Sequence, residues 1–149
     1  MDGSKLQRGE FIAIAGGALL CAGLFLPWYT TKGLGRIDAM AGPRSGWDVH
    51  PIMRYFLLLA AVAPLVLAYI ILRDHALSWP RGELTAVIAI AGFGLLFYNG
   101  LIAQPGTSNQ LTSLQLGWAV AVLGTLLMLS GSALRSSQGE RKRKPPGTL

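Results

Sequence analysis

The chain is short of charge and of cysteine. Only 13% of its 149 residues are charged, about half the share of an average soluble domain, whereas 52% are hydrophobic. The charges are clustered between long apolar runs, which excludes a disordered chain, a collagen-like chain and an ordinary soluble enzyme domain. A single cysteine, Cys21, excludes an intrachain disulfide framework. The length fits one compact domain, and the composition indicates a small polytopic membrane protein.

Four apolar stretches are long enough to cross a hydrocarbon core about 30 Å thick. None of them contains Asp, Glu or Lys, and the one charge close to a span interior is Arg54, in the first turn of the second. A buried helix of a soluble protein would show a polar stripe, and these stretches show none. The sequence therefore predicts an all-α integral membrane bundle of four transmembrane helices, at about 11–28, 52–72, 84–103 and 116–134.

The positions of Lys and Arg predict the orientation, because cytoplasmic segments carry an excess of both. Nine basic residues lie in the N-terminal segment, the link between the second and third spans and the C-terminal tail: Lys5, Arg8, Arg73, Arg81, Arg135, Arg141, Lys142, Arg143 and Lys144. Four lie in or beside the first loop: Lys32, Arg36, Arg44 and Arg54. We therefore expect both termini to be cytoplasmic (N-in/C-in) in a prokaryotic plasma membrane.

The C-terminal tail is basic and then rich in proline. With the four-helix domain at 1–135, residues 136–149 are expected to form a disordered cytoplasmic tail. Its basic cluster is expected to contact anionic lipid headgroups, at about 1 kcal/mol per residue: Arg141, Lys142, Arg143 and Lys144. No aromatic side chain alternates with these charges, so nucleic-acid binding is not expected.

Aromatic residues flank the first loop. Trp28 and Tyr29 end the first span, and Trp47 precedes the second. Tryptophan and tyrosine are enriched at the two membrane interfaces, so we expect these residues to be interface anchors. The alternative is an outer-loop binding site for a small molecule or a lipid, formed by Trp28, Tyr29, Arg36, Arg44, Trp47 and Asp48.

Glycines recur every seven residues in two of the spans. They are Gly16 and Gly23 in the first span, and Gly117, Gly124 and Gly131 in the fourth. This spacing keeps one face toward a neighbour in a left-handed bundle, and small residues let the two backbones approach. We expect the first and fourth spans to pack closely, although the same glycines would also suit a contact with another protein. In the third span, Asn99 is expected to make an interhelical hydrogen bond.

The sequence shows no pattern of a catalytic or transport site. No ionisable residue lies near the middle of a predicted span, where ion-coupled transporters bind their ion. By the predicted topology Cys21, His50 and His75 lie at three different levels and do not share a metal. Phosphate-binding loops, nucleophile elbows and zincin helices are also missing. We therefore expect no enzyme activity, no cofactor and no metal site.

The pattern Leu26-Pro27-Trp28-Tyr29, followed by a short loop and Ser45-Gly46-Trp47, resembles small actinobacterial-type four-span membrane proteins that are largely uncharacterised. The resemblance implies the four-span topology and no activity. A fainter similarity to claudin-like tetraspan proteins lies in Trp28 and Gly46-Trp47. The paired loop cysteines of that family are absent, the loop is short for its extracellular sheet, and no barrier or pore function is implied.

Together these features predict a non-enzymatic integral membrane protein. The expected role is an accessory or scaffold subunit of a larger membrane assembly, with membrane-protein partners or self-association. The alternative role is small-molecule or lipid binding at the outer loop. The first hypothesis predicts that enlarging Gly124 or Gly131 disturbs assembly, and the second predicts that replacing Arg44 or Trp47 removes a ligand effect.

Overall fold

The structure, a computed structural model, describes residues 6–31, 42–73, 82–104 and 112–141, and these are mostly helical. The elements in chain order are α1 (Arg8–Phe25), β1 (Pro27–Thr31), β2 (Arg44–Ser45), α2 (Gly46–Val49), α3 (Met53–Leu72), α4 (Glu83–Phe97) with a π-helical turn (Tyr98–Ile102), β3 (Thr112–Leu114) and α5 (Leu116–Arg141). In the described part of the chain four helices are long and apolar enough to cross a membrane: α1, α3, α4 with its π-helical turn, and α5.

The first helix ends earlier than predicted. Leu26 has an extended backbone (φ −76°, ψ 158°), as is usual for a residue before proline, and Pro27 begins a strand. The predicted first span, which ran to Trp28, is therefore about one turn too long. At its other end α1 begins with a hydrogen bond from the Gln7 backbone N–H to the Glu10 carboxylate, at 2.7 Å.

Three short strands form an antiparallel sheet at one end of the bundle, in the order β2-β1-β3. In this sheet Tyr29 lies opposite Arg44 on one side and Leu114 on the other. The purely all-α prediction is therefore incomplete. Strands of two and three residues are too short to show an alternating pattern. The five-residue strand β1 does not alternate, because its neighbouring residues Trp28 and Tyr29 are both buried.

The four long helices pack unequally. Helices α1 and α5 run antiparallel and contact each other along their length, whereas α3 touches α1 and, less extensively, α4. The core between them contains fully buried Leu20, Leu57, Leu96 and Met128. We call the end with the three strands the sheet end, and the end with the start of α1 and the end of α5 the termini end.

The last helix is longer than predicted. It continues to Arg141, so residues 136–141 are helical and the predicted boundary of a disordered tail at 136 is wrong. No proline follows before Pro145, and a helix that has already formed extends at little cost, here past Gly139. The predicted lipid contacts Lys142, Arg143 and Lys144 lie outside the described residues.

Candidate functional site

The five glycines with seven-residue spacing all lie in the contact between α1 and α5. A Cβ atom on Gly16 would lie 2.6 Å from the backbone oxygen of Gly124, and one on Gly124 would lie 2.5 Å from the backbone nitrogen of Leu20. Backbone atoms also crowd the other three, Gly23, Gly117 and Gly131. Because backbone atoms cannot rotate away, this glycine seam serves packing within the chain.

A buried ion pair lies at the termini end of the same contact. Arg135 Nε is 3.1 Å from Glu10 Oε1, and the two side chains are 4% and 5% exposed. The sequence analysis missed this pair because it placed both residues outside the spans. The signal was present, since Arg135 continues the seven-residue spacing of Ala121 and Met128, which are both fully buried.

Trp28 and Tyr29 are fully buried, so their prediction as interface anchors is wrong. The Trp28 indole Nε1 donates a hydrogen bond to the backbone oxygen of Gly23 at 2.7 Å, and Gly46 lies against the ring. Both side chains belong to the core cluster at the sheet end, and the register of β1 against β2 shifts between Pro27 and Tyr29.

Tyr29, His50 and Asn99 form a hydrogen-bonded polar cluster at the sheet end. The Tyr29 hydroxyl donates its one proton to the backbone oxygen of Asn99 at 2.9 Å. The 3.1 Å contact between the same hydroxyl and His50 Nε2 therefore has the imidazole N–H as the donor. Burial raises the pKa of Tyr29, which keeps this hydroxyl protonated.

The predicted interhelical bond of the Asn99 side chain is not observed. Asn99 Nδ2 instead donates to the backbone oxygen of Leu95 in the same helix, at 3.0 Å. The Asn99 backbone carbonyl accepts the bond from another element, in the π-helical turn, where the wider i→i+5 geometry departs from regular α-helical bonding.

Of the other predicted outer-loop residues, Arg44 lies opposite the buried Tyr29 in the sheet, and Trp47 packs against the core cluster that contains Trp28 and Tyr29. Ser45 caps the start of α2, and its hydroxyl contacts Asp48 twice. The Asp48 backbone N–H donates to Ser45 Oγ at 3.2 Å, and the Asp48 carboxylate accepts from the same hydroxyl at 2.7 Å. Arg44 lies in the edge strand β2. Arg36 lies outside the described residues. The five described residues of this set therefore do not form one exposed site, because Trp28 and Tyr29 are buried.

Trp47 takes part in a cation–aromatic cluster that sequence analysis did not identify. The Arg54 guanidinium carbon lies 4.9 Å from the ring centroids of both Trp47 and Tyr55. Its two terminal nitrogens donate to the Trp47 backbone oxygen at 3.3 Å and to the Tyr55 hydroxyl at 3.1 Å. The Phe25 ring stacks on the Trp47 ring, with 5.0 Å between the two ring centroids. Arg54 therefore joins α2 to the start of α3.

An apolar groove of about 230 Å³ runs between α3 and α4, lined by Phe56, Leu59, Ala60, Ile88, Ala91, Gly92 and Leu95. Gly92 forms its floor, since a Cβ atom there would lie 3.6 Å from the Thr125 methyl carbon and 3.8 Å from the Ala60 Cβ. Leu95 also accepts the hydrogen bond from the Asn99 side chain, which places that amide at the sheet end of the groove.

Within the described residues no three His, Cys, Asp or Glu side chains are grouped closely enough to hold a metal ion. Comparison with protein-family models, curated proteins and solved structures yields no match. A proposal about its function therefore has to rest on the contacts within the chain.

Proposed function

We propose that the chain is a non-enzymatic integral membrane protein, an accessory or scaffold subunit that contacts a partner through α4. The observation that carries this proposal is Gly94. Among the helical glycines whose surroundings are described, Gly94 alone has no heavy atom within 4 Å of its added Cβ. Glycine in a helix interior costs about 1 kcal/mol relative to alanine, and no contact with the described part of the chain offsets that cost at Gly94.

The face of α4 around Gly94 suits a second helix. Val87, Ile90, Phe97 and Leu101 on this face are all exposed and apolar. Of the four long helices α4 is the least buried, with 28% of its apolar window inside the protein against 44% for α1. A glycine between large side chains lets a partner backbone approach closely, which drives helix association where the hydrophobic effect is absent.

A matched pair of enlargements tests this proposal. Gly94→Leu extends into open space, so the chain keeps its fold while the close approach of a partner is blocked. Ala18→Leu makes a similar enlargement on an exposed position of α1. After gentle extraction from native membranes we expect a stoichiometric protein partner with the wild type and with Ala18→Leu, but not with Gly94→Leu. A wild-type chain that purifies alone, or a Gly94→Leu chain that keeps its partner, contradicts the proposal.

We further propose that the termini end faces the cytoplasm of a prokaryotic plasma membrane, with the basic cluster from Arg141 on anionic headgroups. The excess of Lys and Arg at this end supports it. In a Cys21→Ala background, a membrane-impermeant maleimide should label Pro43→Cys on intact cells and Ser137→Cys only after permeabilisation. The reverse pattern would overturn the orientation.

The alternative role, ligand binding at the outer loop, has less support. Two of its six residues, Trp28 and Tyr29, have no exposed surface to offer a ligand. Asp48 is exposed, and Arg44 and Trp47 are only half-buried, so a surface contact is left rather than a pocket.

A further inference from the structure

Arg54 carries a charge that the described part of the chain does not neutralise. Among these residues no carboxylate forms an ion pair with its guanidinium, and its buried Nε has no hydrogen-bond partner. Arg135, at the termini end, differs, because its Nε lies 3.1 Å from Glu10 Oε1. A charged side chain in a membrane span is usually paired with a group of opposite sign. The charge of Arg54 is therefore available to an anion.

Arg54 lies at the level where hydrocarbon meets the lipid headgroups. It is the second residue of α3, and the 20 residues of this helix, at about 1.5 Å each, match a hydrocarbon core about 30 Å thick. Large apolar side chains around it are exposed, namely Phe25, Ile52 and Tyr55. An anionic group at this depth beside an apolar surface is typical of a phospholipid, whose phosphate joins the headgroup to the acyl chains.

The hydrogen-bond donors of Arg54 and Tyr55 suit a phosphate. Arg54 Nη1 and Nη2 each donate one proton within the protein, to the Trp47 backbone oxygen and to the Tyr55 hydroxyl, and each keeps a second N–H. The Tyr55 hydroxyl accepts from Nη2 at 3.1 Å and donates to no other described residue, so its own proton is also available. Two adjacent donors of this kind, one of them charged, can bind two oxygens of one phosphate.

The surroundings hold the guanidinium in place for such a contact. Its carbon lies 4.9 Å from the ring centroids of both Trp47 and Tyr55, so the side chain is fixed before any ligand arrives. The first turn of α3 contains no acidic residue. Because the start of a helix is the positive end of its dipole, a cation there is unfavourable and a bound anion offsets that cost.

We propose that Arg54 and Tyr55 bind the phosphate group of a phospholipid in the leaflet at the sheet end. Selectivity comes from the phosphate, because the acyl chains meet hydrocarbon whether or not the lipid is bound. Neither residue belongs to the outer-loop set predicted from the sequence. The inference rests on the proposal that the chain spans a membrane, and it does not depend on a partner at α4.

Lipid titration followed by native mass spectrometry tests the inference. The protein in detergent is titrated with phosphatidylglycerol and, separately, with a galactosyl diacylglycerol of the same acyl chains, which lacks phosphate. We expect the wild type to bind phosphatidylglycerol more tightly. Arg54→Gln should weaken that binding by about tenfold, as for the loss of a hydrogen bond to a charged group, and leave the galactolipid unchanged. An unchanged affinity for phosphatidylglycerol, or an equal fall for both lipids, contradicts the inference.

Arg73→Gln is the matched control, because Arg73 follows the other end of α3 and lies 5.4 Å from the centroid of the Tyr69 ring. It removes the same charge and should keep the preference for phosphatidylglycerol. An equal loss in the two glutamine variants would show a general effect of charge and overturn the site.

The two tyrosines of α3 form a second matched pair, since Tyr55 and Tyr69 are both 52% exposed. Tyr55→Phe keeps the ring and removes the hydroxyl, so it should weaken phosphatidylglycerol binding by about threefold, whereas Tyr69→Phe should not. If Arg54→Gln does not fold, this pair decides the question, and equal binding by the two variants contradicts the inference.

Inorganic phosphate, added as a competitor, distinguishes a lipid from a free anion. It should leave phosphatidylglycerol binding unchanged, and displacement of the lipid would overturn the assignment to a phospholipid. Recovery of the chain in the soluble fraction would refute the membrane proposal itself. A membrane-inserted chain without the lipid preference would refute this inference alone.

Discussion

Helices α1 and α5 meet in a different way from helices α3 and α4. In the first pair the two helix backbones are in direct contact at Gly16 and Gly124, and an ion pair is buried at the termini end. The second pair is the more hydrophobic of the two but leaves a groove over Gly92 and an open glycine at Gly94. Greater hydrophobicity therefore does not bring a pair closer together, and the close contact follows the position of the small residues.

The comparison shows that the two helix pairs of one small bundle pack by different means. Where lipid surrounds a protein, helices gain little from being apolar and gain most from close approach and satisfied polar groups. Helices α1 and α5 use both, which makes this pair the stable base of the bundle. Helices α3 and α4 lack such a close backbone contact at Gly92 and Gly94, and α4 keeps an exposed apolar face.

The largest effect is expected from Gly124→Leu. Its side chain would meet the backbone of Leu20 and Gly16, so α1 and α5 would have to separate. We expect no cooperative unfolding transition for this variant in detergent, followed by circular dichroism during a denaturant titration. Gly94→Leu is the control and should unfold like the wild type. A folded Gly124→Leu protein would show that the seam tolerates separation.

The next largest effect is expected from Glu10→Gln, which removes the carboxylate charge that lies 3.1 Å from the buried Arg135. Removing one member of a buried ion pair typically costs about 3 kcal/mol or more, and we expect that loss in the free energy of unfolding. Glu83→Gln, at an exposed position in the first turn of α4, is the matched control and should change little. Equal stability of the two variants would contradict a stabilising role for the pair.

A moderate effect is expected from Tyr29→Phe. The ring stays in the core, but the backbone oxygen of Asn99 loses its donor and the His50 N–H loses its acceptor. Leaving such groups unsatisfied costs about 1–2 kcal/mol of unfolding free energy. Tyr98→Phe, at an exposed tyrosine, is the control. A Tyr29→Phe protein as stable as Tyr98→Phe would show that the polar cluster does not hold β1 to the π-helical turn.

The smallest effect, and one of opposite sign, is expected from alanine at the open glycines. Gly94→Ala adds a methyl group where nothing is near, and Gly92→Ala makes only ordinary contacts. Both should raise the unfolding free energy by up to about 1 kcal/mol through helix propensity. Gly16→Ala, measured in the same way, should lower it. The same sign at all three glycines would remove the distinction between the two halves.

Several features of the fold could be predicted because their signals are local. The four apolar stretches predict four long helices, and four helices of the required length and hydropathy are present. The seven-residue glycine spacing predicts the close contact of α1 and α5, which the structure shows. Helix ends were less accurate: Pro27 ended α1 early, and α5 continued past its last apolar residue.

The candidate sites were largely beyond prediction. Trp28 and Tyr29 look like interface anchors in the sequence, because their burial depends on Gly46 and on strands β2 and β3, which are far away along the chain. No sequence motif predicts the groove, because two apolar helices that carry a glycine and an alanine can either pack tightly or leave a gap between them.

The four long apolar helices, and the packing of two of them through glycine, follow from the amino-acid sequence alone, because length, hydropathy and residue spacing are local properties of the chain. The burial of Trp28 and Tyr29, the pairing of Glu10 with Arg135 and the groove between α3 and α4 are visible only in the folded structure. These outcomes depend on distances between segments that the chain brings together only on folding, and hydropathy carries no information about such distances.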